Sequence, residues 1–241
     1  MGLWSIRRWT KKKAASGQKV SKRYPVPLTT HQLWMVSLSA PVSRGRDASR
    51  TTLYPFTRLD DDRARSWLAE QWEITSRDEL ADRLDDLARS GYRARAQQLL
   101  GVSPLAWDAA LYVDISRRGF ASGLITEGEA WTALKNIVPA VVSAYASWQE
   151  YADHYLLGRK VWRERLVGTP DIPAQSTPAQ STPAQSTPAQ STPAQSTPAQ
   201  STPAPQSTAD AHLRALLDPA NRASPWNLAP WDTISRPDRA R

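Results

Sequence analysis

The sequence contains no cysteine, only two phenylalanines and two methionines, and no long apolar run. Without cysteine there is no disulfide, no thiolate nucleophile and no cysteine-ligated metal, and the composition suits a cytoplasmic protein. No window approaches the ~18–20 apolar residues that a membrane-spanning helix needs. The best apolar stretch, residues 33–40, is too short for a span and begins too late for a usual signal peptide. We therefore expect a cytoplasmic protein, with peripheral attachment to a membrane as the alternative.

Acidic side chains are absent from the first 24 residues, which carry eight lysines and arginines. These eight charges equal the whole formal net charge of +8, because 23 basic and 23 acidic side chains remain in the rest of the chain. The folded part therefore shows no basic footprint for nucleic acid. Tryptophans flank the basic residues of the arm, a mixture that suits an anionic membrane surface or nucleic acid, with a solvated leader as the alternative. The candidate surface-binding residues are Trp4, Arg7, Arg8, Trp9, Lys11, Lys12 and Lys13.

A short repeat interrupts the later part of the chain. The motif PAQST occurs six times without a break over residues 173–202, and PAPQST follows over 203–208. The repeat has no charge and no large apolar side chain, so it cannot bury a core. A proline at every fifth position also excludes a regular helix. We expect a disordered insertion that acts as a spacer, with a proline-motif docking site as the alternative.

Between the arm and the repeat, apolar periodicity and capping residues predict helices, and no segment alternates as a strand does. In SRDELADRLDDLARSG, Ser76 and Glu79 form a capping box, and Gly91 is expected to end the helix. Further helix starts are predicted after Asp60, at Ser103 with Pro104, at Thr126 with Glu129 and at Ser147 with Glu150. The predicted fold class is all-α, a single compact multi-helix domain with a disordered basic arm and a disordered repeat loop.

The segment SWQEYADHYLLGRKVW, residues 147–162, is rich in polar and aromatic side chains. On a helix with about 100° per residue, His154 falls on the solvent side and Arg159 falls within the aromatic stripe. A buried guanidinium needs a partner, since an unpaired buried charge costs several kcal/mol. The same projection over residues 104–118 places Asp108 in the middle of an apolar stripe. We therefore predict that Asp108 and Arg159 meet, directly or through water.

Two roles are open for this pair, a buried ion pair that fixes helix register and a polar pocket that binds a ligand. The candidate ligand-binding residues are Asp108, Arg159, Tyr155 and Tyr112. We predict no catalytic residue, no metal site and no cofactor. The three histidines have no ligand spacing, and the sequence has no glycine-rich phosphate loop and no Ser/His/Asp pattern.

Four segments share their order and spacing with a known family: LAEQWEITSRDELADRLDDLARSGYR, AWDAALYVDISRRGFASGLITEGEAW, SWQEYADHYLLGRKVW and SPWNLAPW. Over residues 28–231, apart from the repeat, the chain resembles the bacterial domain of unknown function 1266 (DUF1266), the YbeU/YbeR-like proteins. The resemblance implies a helical cytosolic domain without an established activity. The chain departs from the family pattern at Tyr92, where the family often has His, and at Leu111, where it tends to have Arg. If either residue is catalytic in the family, the resemblance implies that this member is inactive.

The family-like SPW element lies beyond the repeat, which makes the repeat an insertion within one domain. Lengthening a connection from about 9 to about 36 residues adds only ~1.2 kcal/mol of closure entropy. We therefore predict that the C-terminal residues dock back on the helical body. The predicted organisation is a disordered arm over 1–24, a helical DUF1266-like domain over 25–172, the repeat insertion over 173–208 and a docked C-terminal segment over 209–241.

The leading functional interpretation is a non-enzymatic helical interaction module with an unknown protein partner. Trp226 and Trp231 are its candidate partner-binding residues, because tryptophans near the end of the chain could form a groove. One alternative is a small-ligand-binding protein or enzyme with a pocket around Asp108 and Arg159. The other is adhesion of residues 1–24 to an anionic membrane surface or nucleic acid.

Overall fold

The computed structural model describes residues 27–43, 47–167 and 208–235. Within these ranges the regular structure is helical, apart from one isolated bridge between Ala48 and Phe56. The predicted all-α class is therefore confirmed. No helix in this part of the chain is long and apolar enough to cross a membrane. The basic arm and almost all of the repeat lie outside the described residues, so their disorder remains a prediction.

The helices follow one another with short connections, except between α1 and α2 and between α7 and α8. They are α1 (Thr30–Ser37), α2 (Asp61–Trp72), α3 (Arg77–Arg89), α4 (Gly91–Leu100), α5 (Leu105–Ala121), α6 (Glu127–Ala144), α7 (Trp148–Val167), α8 (Thr208–Leu217), α9 (Pro225–Leu228) and a final 3-10 helix (Trp231–Ser235).

Helix α5 is the centre of the body. It packs against α2, α3, α4, α6 and α7, and every residue from Leu105 to Arg117 is buried. Helix α7 approaches α5 closely at Gly158, where an added Cβ would lie 2.4 Å from the Cβ of Trp107. A helix enclosed on all sides has no solvent face. Its polar side chains must therefore find partners within the fold, either on α5 itself, as Asp114 and Ser116 do, or on a neighbouring element.

Local capping signals account for several helix starts. The capping boxes of Ser76 with Glu79 and of Thr126 with Glu129 are confirmed. At the start of α7, the Ser147 hydroxyl accepts from the backbone of Glu150, as predicted for a cap. The carboxylate of Glu129 also forms a bidentate ion pair with Arg77. The capping box of α6 is thereby tied to the first turn of α3.

Gly91 ends α3 as predicted, because it follows the C-cap residue Ser90 with a left-handed φ of +51°. The same glycine also begins α4, which the sequence pattern did not predict. The predicted start of the next helix is wrong by one residue. Helix α5 begins at Leu105, and Pro104 occupies its N-cap position without a side-chain cap. Proline lacks a side-chain acceptor, and the first turn of α5 is instead stabilised by Tyr145, whose hydroxyl accepts from the backbone N–H of Ala106 at 2.8 Å.

The long connection between α1 and α2 wraps around the side chain of Arg117, which has no exposed surface. The guanidinium donates hydrogen bonds of 2.6–3.2 Å to the carbonyl oxygens of Leu53, Ser49 and Thr52 and to the hydroxyls of Ser39 and Ser43. Burial lowers the pKa of Arg117 to about 10, so the group stays charged at neutral pH. A single cation thus organises an otherwise irregular stretch of backbone.

Residues 208–235, called here the C-terminal segment, pack against the body at α1 and α7. Helix α8 lies beside α7, and α9 and the 3-10 helix lie against α1. His31 Nε2, in the first turn of α1, is 2.9 Å from the carbonyl oxygen of Thr233. The beginning and the end of the described chain are therefore neighbours. The predicted domain boundaries remain predictions.

Candidate functional site

The carboxylate of Asp108, in the first turn of α5, anchors the start of α4. The side chain is fully buried. Its Oδ1 accepts from the backbone N–H of Tyr92 at 2.9 Å. Its Oδ2 accepts from the backbone N–H of Arg93 at 3.1 Å and from Nη1 of the same residue at 3.0 Å. The carboxylate therefore meets the positive end of α4 and one guanidinium at once.

Asp108 forms its ion pair with Arg93, so the prediction of a direct pair with Arg159 is wrong. The helical projection failed because α5 is enclosed by five helices and offers several buried directions. Asp108 points at α4, not at α7. Arg159 is half-buried, at the edge of a buried face of α7 that centres on Tyr151 and Tyr155. The absence of any predicted α4 hid the true partner.

Gly91 lies directly against the Asp108 carboxylate. Its φ of +51° is left-handed, and an added Cβ would lie 2.2 Å from Oδ2 of Asp108. Glycine is therefore required here twice, once by the backbone conformation and once by the close approach. The sequence pattern predicted this glycine as a helix end but gave no sign of the contact with Asp108.

Burial raises the pKa of Asp108 to about 6, against the opposing effects of the hydrogen bonds and charge of Arg93 and the backbone N–H of Tyr92. The carboxyl group is thus ionised at neutral pH but close to its titration range. It has the environment of a structural anchor whose strength depends on pH.

Aromatic side chains surround the start of α5. Burial raises the pKa of Tyr145 to about 12, and the charge of Asp108 adds to that shift. The ring of His154 packs edge-on against Tyr145 with a centroid distance of 5.1 Å. His154 is half-buried and its buried Nδ1 has no hydrogen-bond partner. The prediction that His154 lies on the solvent side is therefore wrong, because the end of α6 covers that face of α7.

The two candidate tyrosines belong to the core. The Tyr155 hydroxyl donates to the carbonyl oxygen of Pro41 at 3.3 Å, and its ring lies 5.1 Å from that of Trp107. Tyr112 is buried on α5, and burial raises its pKa to about 12. A ligand-binding role for Asp108, Arg159, Tyr155 and Tyr112 remains a prediction. Within the described residues, no group of three or more histidines and carboxylates could hold a metal ion.

A second candidate site is the aromatic groove, formed by Trp34 of α1 and by Trp148 and Tyr151 of α7. The C-terminal segment fills it. The ring of Trp226 stacks on Trp148 at 5.1 Å with an interplanar angle of 6°. The ring of Trp231 meets Trp148 edge-on at 4.8 Å and Trp34 at 5.2 Å. Five aromatic side chains therefore form one continuous cluster between body and segment.

Indole N–H groups donate hydrogen bonds to main-chain carbonyl oxygens of both the body and the C-terminal segment. Trp34 donates to the carbonyl oxygen of Trp231 at 3.1 Å, and Trp148 donates to that of Ala229 at 3.0 Å. In return, Trp226 donates to the carbonyl oxygen of Ser37 at 3.0 Å. These bonds fix the end of α9 and the start of the 3-10 helix against the body.

The structure places both candidate partner-binding tryptophans against the body. Trp226 is 2% exposed, so its ring offers no surface to another protein while the segment is docked. Trp231 is half-buried. Partner binding by either residue remains a prediction. The candidate surface-binding residues of the arm, from Trp4 to Lys13, lie outside the described residues.

Gly91→Ala is expected to lower the free energy of unfolding more than Gly101→Ala does. Both glycines are left-handed, but nothing lies within 4 Å of a Cβ at Gly101, so that variant reports only the backbone cost of about 1–2 kcal/mol. Gly91→Ala adds the clash with Asp108. Denaturant unfolding of the two variants measures the difference, and equal losses would show that the Asp108 contact can relax freely.

The coupling between Asp108 and Arg93 is expected to be about 1–3 kcal/mol in a double-mutant cycle of Asp108→Asn and Arg93→Met. Their coupling arises from a buried charge-assisted contact at 3.0 Å. The matched control is the cycle of Asp108→Asn with Arg159→Met, for which we expect a smaller coupling. Unfolding free energies of the single and double variants give both values. A larger coupling of Asp108 to Arg159 than to Arg93 would instead support the pair predicted from the sequence.

The unfolding free energy of the wild type is expected to fall relative to that of Asp108→Asn as pH rises from 4.5 to 7. Because the folded-state pKa of about 6 exceeds the ordinary value, the folded chain holds a proton that the unfolded chain has released in this window. Asparagine does not titrate and escapes this loss. Denaturant unfolding at both pH values should show a relative change of about 2 kcal/mol, and parallel pH profiles would contradict it.

A family model described as "Protein of unknown function (DUF1266)" matches residues 93–177. The match begins at Arg93 and includes α5, α6 and α7. No curated protein and no solved structure matches the chain significantly. The family match does not bear on a bacterial source or on the YbeU/YbeR likeness, which remain predictions. Residues 93–177 are therefore similar to the DUF1266 family, whose function is unknown.

Proposed function

We propose that the chain is a non-enzymatic helical interaction module whose body binds the C-terminal segment in the aromatic groove. The observation that carries this proposal is the mode of contact. Side chains of the body donate hydrogen bonds to the main-chain carbonyl oxygens of Ala229 and Trp231, and Trp226 of the segment stacks on Trp148 in an aromatic site. Peptide-binding domains recognise their ligands through this combination of main-chain hydrogen bonds and a buried aromatic anchor. A cytoplasmic location is part of the proposal.

The hydrogen-bond partners of the buried charged side chains support a non-enzymatic role. Asp108 and Arg117 are the two described charged residues with no exposed surface. Asp108 is engaged by the start of α4, and Arg117 by the connection between α1 and α2. Reactive groups in enzymes are kept available to a substrate. These two groups instead join elements of the fold, and a ligand would have to displace those elements to reach them.

The test of the proposal is to cut the connection in the complete chain. One PAQST unit is replaced by a protease recognition sequence, and the folded protein is cleaved there under native conditions. We expect the C-terminal fragment to stay with the body during size-exclusion chromatography. A labelled synthetic peptide of residues 208–235 should then replace it in a saturable manner.

The matched control is the same peptide with Trp226→Ala, which removes the aromatic anchor and should compete at least about 10-fold less well. Immediate release of the fragment after cleavage would overturn the proposal. Equal competition by both peptides would also overturn it, because recognition would then not depend on the groove.

A second candidate function, adhesion to an anionic surface, is supported by the eight basic and zero acidic residues over positions 1–24. The test is sedimentation of the chain with phosphatidylserine-containing vesicles at 50 and 500 mM salt. We expect binding that is lost at high salt and on deletion of residues 1–24, since exposed charges are screened. Binding that survives the deletion would contradict this role.

A further inference from the structure

We propose that the C-terminal segment is an exchangeable unit that also docks in the aromatic groove of a second copy of this chain, giving a segment-swapped dimer. This inference rests on the proposed function, because it requires the groove to bind the segment. It goes further by naming the partner in trans, a second identical chain.

The segment has the internal bonds of a unit that can move as one piece. The Ser224 hydroxyl donates to the carbonyl oxygen of Leu216 and so joins α9 to α8. The Asn227 amide donates to the carbonyl oxygens of Asp218 at 2.7 Å and Asn221 at 3.0 Å. These bonds hold the turn between the two helices without any contribution from the body. The segment can therefore leave one groove and enter another with its own turn intact.

The contacts between segment and body are equally available in trans. The aromatic groove is built from α1 and α7, and 40 residues separate the end of α7 from the C-terminal segment that fills it. Every bond that joins Trp226, Ala229 and Trp231 to the groove involves residues far apart in sequence. A second copy supplies the same groove. Two chains that exchange their segments satisfy both grooves and form a closed two-fold dimer.

The length of the connection sets the balance between the two arrangements. Residues 168–207 are long enough, at ~3.3–3.6 Å per extended residue, to reach well beyond the chain's own groove. A tether of this kind gives the segment an effective concentration on the order of a millimolar at its own groove. Docking in cis should therefore prevail at micromolar concentration, and docking in trans should become equally frequent near a millimolar.

The experiment uses two complete chains that both carry the protease site in place of one PAQST unit, one of them uniformly labelled with nitrogen-15. Equal amounts are mixed at 1 mM and at 10 µM, cleaved at those concentrations, diluted and examined at once by native mass spectrometry. A labelled body that carries an unlabelled segment records docking in trans. Chains cleaved separately and then mixed for the same time measure the exchange that occurs after cleavage.

Mixed complexes are those in which only the body or only the segment is labelled. We expect them to approach a quarter of the total at 1 mM and to fall to about 1% or less at 10 µM. The excess over the separately cleaved chains is the quantity that counts. If body–segment complexes form but show no such excess at 1 mM, the proposed segment exchange is wrong and the proposed function still stands. Bodies without any segment would overturn the proposed function itself.

Discussion

Replacing Arg117 with methionine is expected to lower the free energy of unfolding by about 3–5 kcal/mol. The guanidinium has no exposed surface, and methionine fills a similar volume without donating a hydrogen bond. Its loss leaves the buried carbonyl oxygens of Ser49 and Leu53 and the half-buried one of Thr52 without this donor. Each buried acceptor left unpaired costs about 1–3 kcal/mol before the backbone relaxes.

Two further variants separate charge from geometry at this position. Arg117→Lys keeps the charge but presents three donors on one atom, which cannot serve both sides of the connection, so an intermediate loss is expected. Arg89→Met is the surface control, since its exposed ion pair with Asp85 should contribute less than about 1 kcal/mol. Denaturant unfolding of all three gives the comparison. A loss for Arg117→Met no larger than that of the surface control would show that the connection does not need the cation.

Replacing Trp226 with alanine is expected to cost about 3–5 kcal/mol of unfolding free energy, the range for a large buried aromatic side chain. The variant removes the stack on Trp148 and the hydrogen bond to Ser37. It also leaves the groove open to water. The measurement is denaturant unfolding of the complete chain, followed by far-ultraviolet circular dichroism because the change removes a fluorophore.

Trp226→Phe and Trp131→Ala are the controls for this variant. Phenylalanine preserves an aromatic ring on Trp148 but loses the indole N–H. We therefore expect the unfolding free energy to fall by about 1 kcal/mol more than the smaller side-chain volume alone would cause. Trp131 is half-buried on α6 and bonds to Glu127 of the same helix, so its removal should cost clearly less than that of Trp226. Equal losses at the two tryptophans would mean that docking contributes nothing special to stability.

Several helix starts were predictable from the sequence because the two residues of a capping box are only three positions apart in the chain. Ser76 with Glu79 and Thr126 with Glu129 form the bonds that their spacing implies. Such signals do not depend on what the helix packs against. Helix α4 escaped prediction because its N-cap residue, Ser90, provides no side-chain cap and because its first residue, Gly91, also ends α3.

The partners of buried charges could not be predicted from the sequence, since they depend on tertiary packing. A wheel shows which residues share a face but not which helix covers that face, and α5 is covered by five. Asp108 was therefore recognised as buried but assigned to α7. Arg117 was missed although a signal existed: at about 100° per residue it shares a face with Ala106, Ala110 and Val113. A cation on a face of small apolar residues indicates a buried group with backbone partners.

The hydrogen bond between His31 and Thr233 bears on how the chain could be rearranged. It brings the first helix and the last turn together. The connection from α7 to the C-terminal segment, in contrast, carries the repeat. The order in which the helices are joined is thus separable from the way they pack. A circular permutant that joins the last turn to α1 and opens the chain within the repeat would retain every contact of the aromatic groove.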